Sequence, residues 1–253
     1  MTPFDITFDI DWTQLDEEQQ KNFPPEVKER IENIYFKGAA QSWKYAINGW
    51  PSEAPLDHLE IKVEFKPIDR VRGTVARVDR KKIDTVPGPN GALFPRKATM
   101  ELDLADIGRL LANRPGFLDT ITHEIGHALG IGTLFDEKDG RKLVRSEGEG
   151  ESKRYFYEGP AGRSAYAALR RQPVESIELP LVREKPSTTE AFHWTEQTLQ
   201  FEIMSEWLDV PNATSTDTGI NVISAVSIGA LEDLGYLVEP LAARPLVLPP
   251  RKP

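Results

Sequence analysis

His123, Glu124 and His127 form the pattern His-Glu-x-x-His, and Gly130 follows three residues after the second histidine. Side chains four residues apart on a helix lie one above the other, so both imidazoles can reach a single ion. The glutamate between them can then lean on a water held by that ion and take its proton. Two ligands and a base within five residues make up most of a hydrolytic metal site. The chain holds four histidines, His58, His123, His127 and His193, and half of them fall in this pattern. That clustering argues against chance, although the pattern is short and also occurs in ordinary helices.

The motif requires a helix. Residues Pro115 to Leu129 supply one, with Asn113 placed as N-cap and Pro115 in the first turn. Gly130 and Gly132 are suited to ending it, because glycine accepts the left-handed conformation found at helix ends. At about 100° per residue, Leu118, Ile121, Ile125 and Leu129 fall within roughly 80° of one another. His123 and His127 lie near the opposite side. The apolar stripe can therefore pack on a core while the imidazoles face a cleft.

A catalytic zinc takes three protein ligands and keeps a fourth position open. Three places could supply the third. Six residues after His127 stands Thr133, a poor ligand. Glu147 is the nearest carboxylate downstream, but it lies in the charged, glycine-rich run Arg145 to Glu151, which has no helical period and reads as a loop. His193, in Phe192-His193-Trp194, is 66 positions beyond His127. A histidine between two aromatics is more often a packed or capping residue than a ligand, so spacing leaves the third ligand open.

Three segments bring a family into view. They are His123-Glu-Ile-Gly-His-Ala-Leu-Gly-Ile-Gly-Thr-Leu-Phe135, the pair Phe192-His193-Trp194 with Phe201-Glu-Ile-Met204, and Ile223-Ser-Ala-Val-Ser-Ile-Gly-Ala-Leu-Glu-Asp-Leu-Gly-Tyr236. A weaker fourth is Glu158-Gly-Pro-Ala-Gly-Arg-Ser-Ala-Tyr-Ala-Ala-Leu169. In their order and spacing the chain resembles the leishmanolysin-like zinc endopeptidases, a metzincin-type family, and particularly its bacterial members. The resemblance runs from about residue 90 to 238 and extends more loosely over Asp5–Val86. It implies that His193 is the third ligand to one catalytic Zn²⁺, that Met204 forms a turn beneath the metal, and that Glu124 is the general base of peptide hydrolysis. It also implies an α+β metzincin-like fold. A twisted mixed sheet and the site helix would form an N-terminal lobe over about 1–131. A smaller, irregular and helical C-terminal lobe with the Met-turn would cover about 132–239, followed by a proline-rich tail over 240–253, all within one catalytic domain.

The chain departs from the family in two ways. It has no cysteine, whereas protozoan members are rich in disulfides. Astacin-type and serralysin-type relatives carry a tyrosine two residues after the turn methionine; here that position is Glu206, so the group that assists the oxyanion is left open. Other readings share the motif: a zinc-bound scaffold without catalysis, an inhibitor-type interaction protein, and a zinc aminopeptidase.

With 253 residues the chain can bury a substantial core without staples, and zero cysteine excludes disulfide support or a cysteine switch on the metal. The formal charge of −9, from 31 basic and 40 acidic residues, argues against nucleic acid and anionic membranes as partners. No apolar run approaches the ~20 residues of a membrane span. Met1 to Asp5 lack the charged start and apolar core of a signal peptide, so a cytoplasmic protein is expected unless an export leader has been removed. The expected partner is a protein or peptide substrate, acting on a monomer.

The remaining elements must position the motif. Phe4, Ile6, Phe8 and Ile10 alternate as a strand does. Asp16–Asn48 reads as helix, opened by Pro24-Pro25, with Ile31, Ile34, Tyr35, Ala39, Ser42 and Ala46 as its inner stripe. Leu59, Ile61, Val63 and Phe65 make a second strand, with His58 solvated on its polar side. Val71–Val86 reads as a strand or hairpin and Pro87–Gly91 as a turn-rich loop. Arg96–Asp103 alternates again just before the site helix. It is expected to be the upper edge of the cleft, its free backbone pairing with an extended substrate. Asp136–Ser152 reads as a charged loop, Ser164–Gln172 as a short helix, 173–190 as irregular, Asn221–Leu234 as a helix ending at Gly235, and Pro240–Pro253, with five prolines, as a wrapping arm. Asp119 shares a face with His123 and is expected to cap or to be solvated rather than to orient that ring. Trp194 and Trp207 are expected to pack nearby, and Leu208 and Val210 to wall the pocket beyond Met204.

Overall fold

A computed structural model describes residues 4–51, 56–71, 73–136, 142–183, 191–208 and 221–249. In chain order the elements are β1 (Ile6–Ile10), α1 (Glu17–Lys21), α2 (Pro25–Arg30), α3 (Lys37–Ala46), β2 (Ile47–Gly49), β3 (Leu59–Lys66), β4 (Ala76–Val78), β5 (Asp84–Pro87) and β6 (Leu93–Asp103). Then come α4 (Ile107–Ala112), α5 (Arg114–Ala128), β7 (Val144–Glu147), β8 (Arg154–Tyr157), α6 (Pro160–Arg170), β9 (Leu179–Arg183), β10 (Phe192–Trp194), α7 (Glu196–Leu199), α8 (Ala225–Leu234) and β11 (Leu237–Val238). The architecture is α+β with a mixed sheet.

The first sheet follows from alternation. Every second residue of β3 is buried, so Leu59, Ile61, Val63 and Phe65 all face the core. β1 and β6 flank β3 in parallel, with Ile61 opposite Phe8 on one side and Ala98 on the other. β4 and β5 both pair antiparallel with the far side of β6, through Val78↔Met100 and Asp84↔Lys97. This overturns the expectation that Arg96–Asp103 is an edge. β6 has ladder partners on both sides, so its backbone is not free to receive a substrate. Alternation reports which face of a strand is buried and says nothing about which edge is paired.

The helices before β2 keep the expected start and most of the expected stripe, with Ile31, Tyr35, Ala39 and Ala46 buried. Pro25 occupies the first helical position of α2. Between α2 and α3 the chain makes a π-helical stretch, Ile31–Phe36. Its wider turn alters the helical phase locally. Ile34 is therefore turned out to 55% exposure and Ser42 is half-buried, while Phe36 and Trp43 take their places in the core.

Two segments read as loops contain strands. β7 lies inside Asp136–Ser152 and β9 inside 173–190; with β8 and β10 they make an antiparallel sheet in the order β10-β9-β8-β7. Residues 137–141 and 184–190 of those stretches lie outside the described part. A polar sequence hid β7, whereas β9 (Leu179-Pro-Leu-Val-Arg183) is apolar but short and interrupted by Pro180. In β7, Arg145 bonds Glu158 and Glu178 at 2.9 Å each and also pairs with Glu147, so charge pairing replaces the apolar signal. The short helix is longer than expected, α6 starting at Pro160. The last helix starts at Ala225, where the Ser224 side chain accepts from Val226 N–H.

The C-terminal arm wraps the body, as its prolines suggested. β11 pairs with β2, Glu239 N–H donates to Ala46, Arg244 N–H donates to Ile223, and Arg170 reaches the Pro249 carbonyl. One continuous apolar cluster runs from Phe4 to Tyr236. Among the described residues, no helix is long and apolar enough to cross a membrane.

One charge cluster in the sheet sets an acid limit. Glu101 is 2% exposed on β6 and accepts from Lys66 at 2.9 Å, Arg77 at 2.8 Å and Lys82 at 2.6 Å. Burial opposes its charge, but the bonds from Lys82, Lys66 and Arg77 win and hold its carboxyl at about 2. Because the folded value lies below the ordinary 4.5, Glu101 contributes its full stabilisation above about pH 4.5 and loses it as pH falls toward 2. Urea unfolding of Glu101→Gln from pH 7 to pH 2 checks this. Wild type is expected to lose its advantage over the variant across that window, and a gap independent of pH would remove the assignment.

Candidate metal centre

α5 is the helix expected from the sequence. Asn113 caps it, its Oδ1 accepting from Gly116 N–H at 3.3 Å. Phe117, Ile121, Ile125 and Leu129 are fully buried on its inner side. α3 lies against it, and the Trp43 indole N–H donates to the Thr122 carbonyl at 2.8 Å. The helix thus enters the site fixed along its whole length.

Where α5 ends, the chain reverses on glycines. Gly130 has φ +106° and Gly132 φ +76°, both in the left-handed region. The reversal brings the Ile131 carbonyl back to His127 Nδ1 at 2.8 Å. Thr133, considered above as a ligand, instead caps the helix: its hydroxyl donates to the His127 carbonyl at 2.6 Å. Gly132 also lets the third segment in. Phe192 N–H donates to the Gly132 carbonyl at 3.1 Å, and a Cβ on Gly132 would lie 2.0 Å from the Phe192 oxygen. Gly132→Ala is therefore expected to destabilise the fold by about 2–4 kcal/mol, from left-handed strain plus a backbone clash. A urea midpoint within 0.5 kcal/mol of wild type, a roughly neutral surface value, would show that this approach is not needed.

The approach delivers His193. Its Nε2 lies 2.8 Å from His127 Nε2 and 3.2 Å from His123 Nε2. All three rings are buried, at 8%, 4% and 5% exposure for His123, His127 and His193. The three are close enough to hold one metal ion. The other candidates fall away. Glu147 lies on β7, paired with Arg145 and Arg154, and His58 is half-buried, outside the triad and paired with Asp57.

The hydrogen bonds settle what the three nitrogens offer. His123 Nδ1 is 2.6 Å from the Ile203 carbonyl and His127 Nδ1 is 2.8 Å from the Ile131 carbonyl. A carbonyl oxygen only accepts, so both Nδ1 atoms carry the proton and both Nε2 atoms present lone pairs. One N–H on His193 could satisfy one of those lone pairs; a cation satisfies all three. Burial holds His123 down at about 4, holds His127 at about 3 with help from the neighbouring His123, and holds His193 well below its ordinary value. Neutral rings are the form that ligates. A tetrahedral ion with ~2.0–2.1 Å bonds needs donors ~3.3 Å apart; the 3.2 Å separation matches that spacing and the 2.8 Å one is about half an ångström short of it. The residues therefore fit a metal.

The floor of the site is Met204, fully buried beneath α5. A Cβ on Gly126 would lie 2.3 Å from its sulfur, so glycine in the middle of the motif is what lets the turn close on the helix. Glu124 is 5% exposed. On an α-helix it stands about 100° from His123 and about 60° from His127, so it flanks both ligands.

Other expectations change. Asp119 neither caps nor faces water: it is 7% exposed and accepts from Asn221 Nδ2 at 2.7 Å. Burial pushes its carboxyl up to about 6 despite that bond. Trp194 is buried, its ring T-shaped against Tyr157 at 5.2 Å, but Trp207 is 70% exposed. Leu208 is half-buried, and Val210 lies outside the described residues. Sequence reasoning missed Glu202, a fully buried carboxylate that accepts from Met204 N–H at 2.6 Å and Ser224 N–H at 3.1 Å. Its signal was one acid inside the otherwise apolar Phe201-Glu202-Ile203-Met204. No protein-family model matches the chain, and no curated protein matches it.

Proposed function

We propose that this chain is a zinc-dependent endopeptidase of the leishmanolysin-like, metzincin type. The observation that carries it is the convergence of three buried, neutral imidazoles on one point, two of them with Nδ1 anchored on carbonyls, and with a glutamate between the two on α5. Three histidine nitrogens match the three-ligand donor set of catalytic zinc rather than the four-ligand set of a structural site. The packing of Met204 against Gly126 and the approach of His193 to both motif histidines support the family assignment, since the resemblance implied both.

His123, His127 and His193 would hold the ion. Zinc, when bound, supplies a Lewis acid that polarises a peptide carbonyl and acidifies water. Glu124 takes the proton of the attacking water on its carboxylate and gives it to the leaving amine nitrogen, acting first as base and then as acid. The carbonyls of Ile203 and Ile131 keep the His123 and His127 rings from rotating and raise their basicity toward the ion. An extended substrate would use the sheet's outer side. β4 ends the ladder there, and it packs against α5.

Metal analysis joined to cleavage of quenched peptides, with and without chelator, tests the proposal. One zinc per chain and chelator-sensitive cleavage of N-blocked peptides are expected. Zinc near zero would dismiss the metal centre, a loaded protein that cleaves nothing would make it a scaffold, and cleavage confined to free N-termini would make it an aminopeptidase.

A further inference from the structure

Two of the three imidazoles are oriented by a carbonyl on Nδ1. His193 is not: its Nδ1 is buried and has no hydrogen-bond partner among the described residues. A metal ligand without such a partner must be aimed by its flanking chain. That chain is held at Phe192 by Gly132 and at Trp194 by the Met-turn, with Trp194 N–H donating to Met204 and Glu206 N–H donating to Trp194. The Trp194 indole is held separately, donating to Ser227 Oγ at 3.0 Å.

Both routes lead to Glu202. One carboxylate oxygen accepts from Met204 N–H at 2.6 Å, which fixes the turn whose Ile203 carbonyl orients His123. The other accepts from Ser224 N–H at 3.1 Å and Ser224 Oγ at 2.9 Å, and the hydroxyl of Ser227, the partner of Trp194, faces the carboxylate and favours its charge. Glu202, Ser224 and Ser227 are each fully buried. Four donors face one group, and only a carboxylate offers about four acceptor sites with no donor of its own. Burying it is costly, and a group that served packing alone would be replaceable by an apolar side chain at no loss.

We propose that Glu202 is a positioning residue of the metal centre, aiming His123 through the Ile203 carbonyl and His193 through Ser227 and Trp194. The proposal rests on the metal reading above. Glutamine cannot substitute, because its NH₂ would point at either Met204 N–H or the Ser224 pair and break one route.

The test uses cobalt(II) as a coloured probe of the metal-stripped full chain. Wild type, Glu202→Gln and Ser227→Ala are titrated, with affinity read by chelator competition, ligand geometry by visible absorption, and folding of the metal-free form by thermal melting. Glu202→Gln is expected to bind about ten- to a hundredfold more weakly with a shifted spectrum, the usual effect of losing a partner outside the ligands. Ser227→Ala, which breaks only the His193 route, is expected to show a smaller loss with its own spectral shift. A folded Glu202→Gln with wild-type affinity and spectrum overturns the proposal, as does a lowered melting temperature with an unchanged spectrum. Should Glu202→Gln not fold, an unchanged Ser227→Ala spectrum and affinity overturns it. Failure of the metal reading is separate, because it shows in wild type as no cobalt bound.

Discussion

Replacing Glu124 with alanine is expected to lower peptide hydrolysis by about 10²–10⁴-fold, the usual contribution of a general acid–base group, while zinc stays near one ion per chain. The two effects separate because Glu124 is not among the three ligands and the partners that hold those ligands are elsewhere. His123 is anchored on Ile203, and His127 on Ile131. Removing the carboxylate leaves both carbonyls in place. Glu124 is also buried, so alanine empties space beside the motif. Glutamine keeps that volume and removes only the proton transfer, so equal losses in both variants would assign the effect to chemistry rather than packing. The measurement is the turnover of a quenched peptide set against metal content in the same preparation. Cleavage at the wild-type rate in either variant takes Glu124 out of the reaction.

What the sequence made legible was whatever one helix or one strand decides alone. His123 and His127 belong to the same helix face, so spacing placed them together, and Asn113, Gly130 and Gly132 marked the helix ends correctly. The strands β1 and β3 were plain because each buries alternate residues against a core. His193 was different. Nothing in the 66 positions separating it from His127 requires convergence, and spacing left it beside Thr133 and Glu147; only resemblance singled it out. Four contacts hold its segment in place, and three of them are backbone hydrogen bonds that carry no side-chain signature.

The errors have the same origin. The pairing of β6 with β4 and β5 is a fact about neighbours, so a strand that looked like an edge turned out to be interior. Ile34 was misplaced because a π-helical turn changes the phase without changing composition. β7 was missed because its cross-strand bonds are ionic. Glu202 is the instructive case. An acid amid apolar residues looked like noise in a turn chosen for its methionine, yet the acid holds the turn.

The second large effect concerns the ligand that spacing could not place. His193→Ala is expected to weaken zinc binding by roughly a hundredfold or more. Structural zinc sites with four ligands are worth about 10–16 kcal/mol, so each ligand supplies about 2.5–4 kcal/mol, and each 1.4 kcal/mol is tenfold. The effect on stability should depend on metal. In wild type, free zinc at 100 times Kd adds about 2.7 kcal/mol to unfolding; at the same free zinc a hundredfold weaker variant gains only about 0.4 kcal/mol. Without metal the difference should shrink, because the imidazole that is lost had a buried Nδ1 with no partner among the described residues and two lone-pair nitrogens at 2.8 and 3.2 Å. Trimming it removes a polar group that the apo protein cannot satisfy. Urea unfolding of both proteins, with buffered zinc and with chelator, therefore forms a cycle whose coupling term is the ligand's contribution. His58→Ala, at a half-buried histidine paired with Asp57 and outside the triad, serves as the control and should leave the zinc term unchanged. A zinc-dependent stabilisation equal in wild type and His193→Ala would mean that the ion, if one binds, is held by His123 and His127 without the third ring.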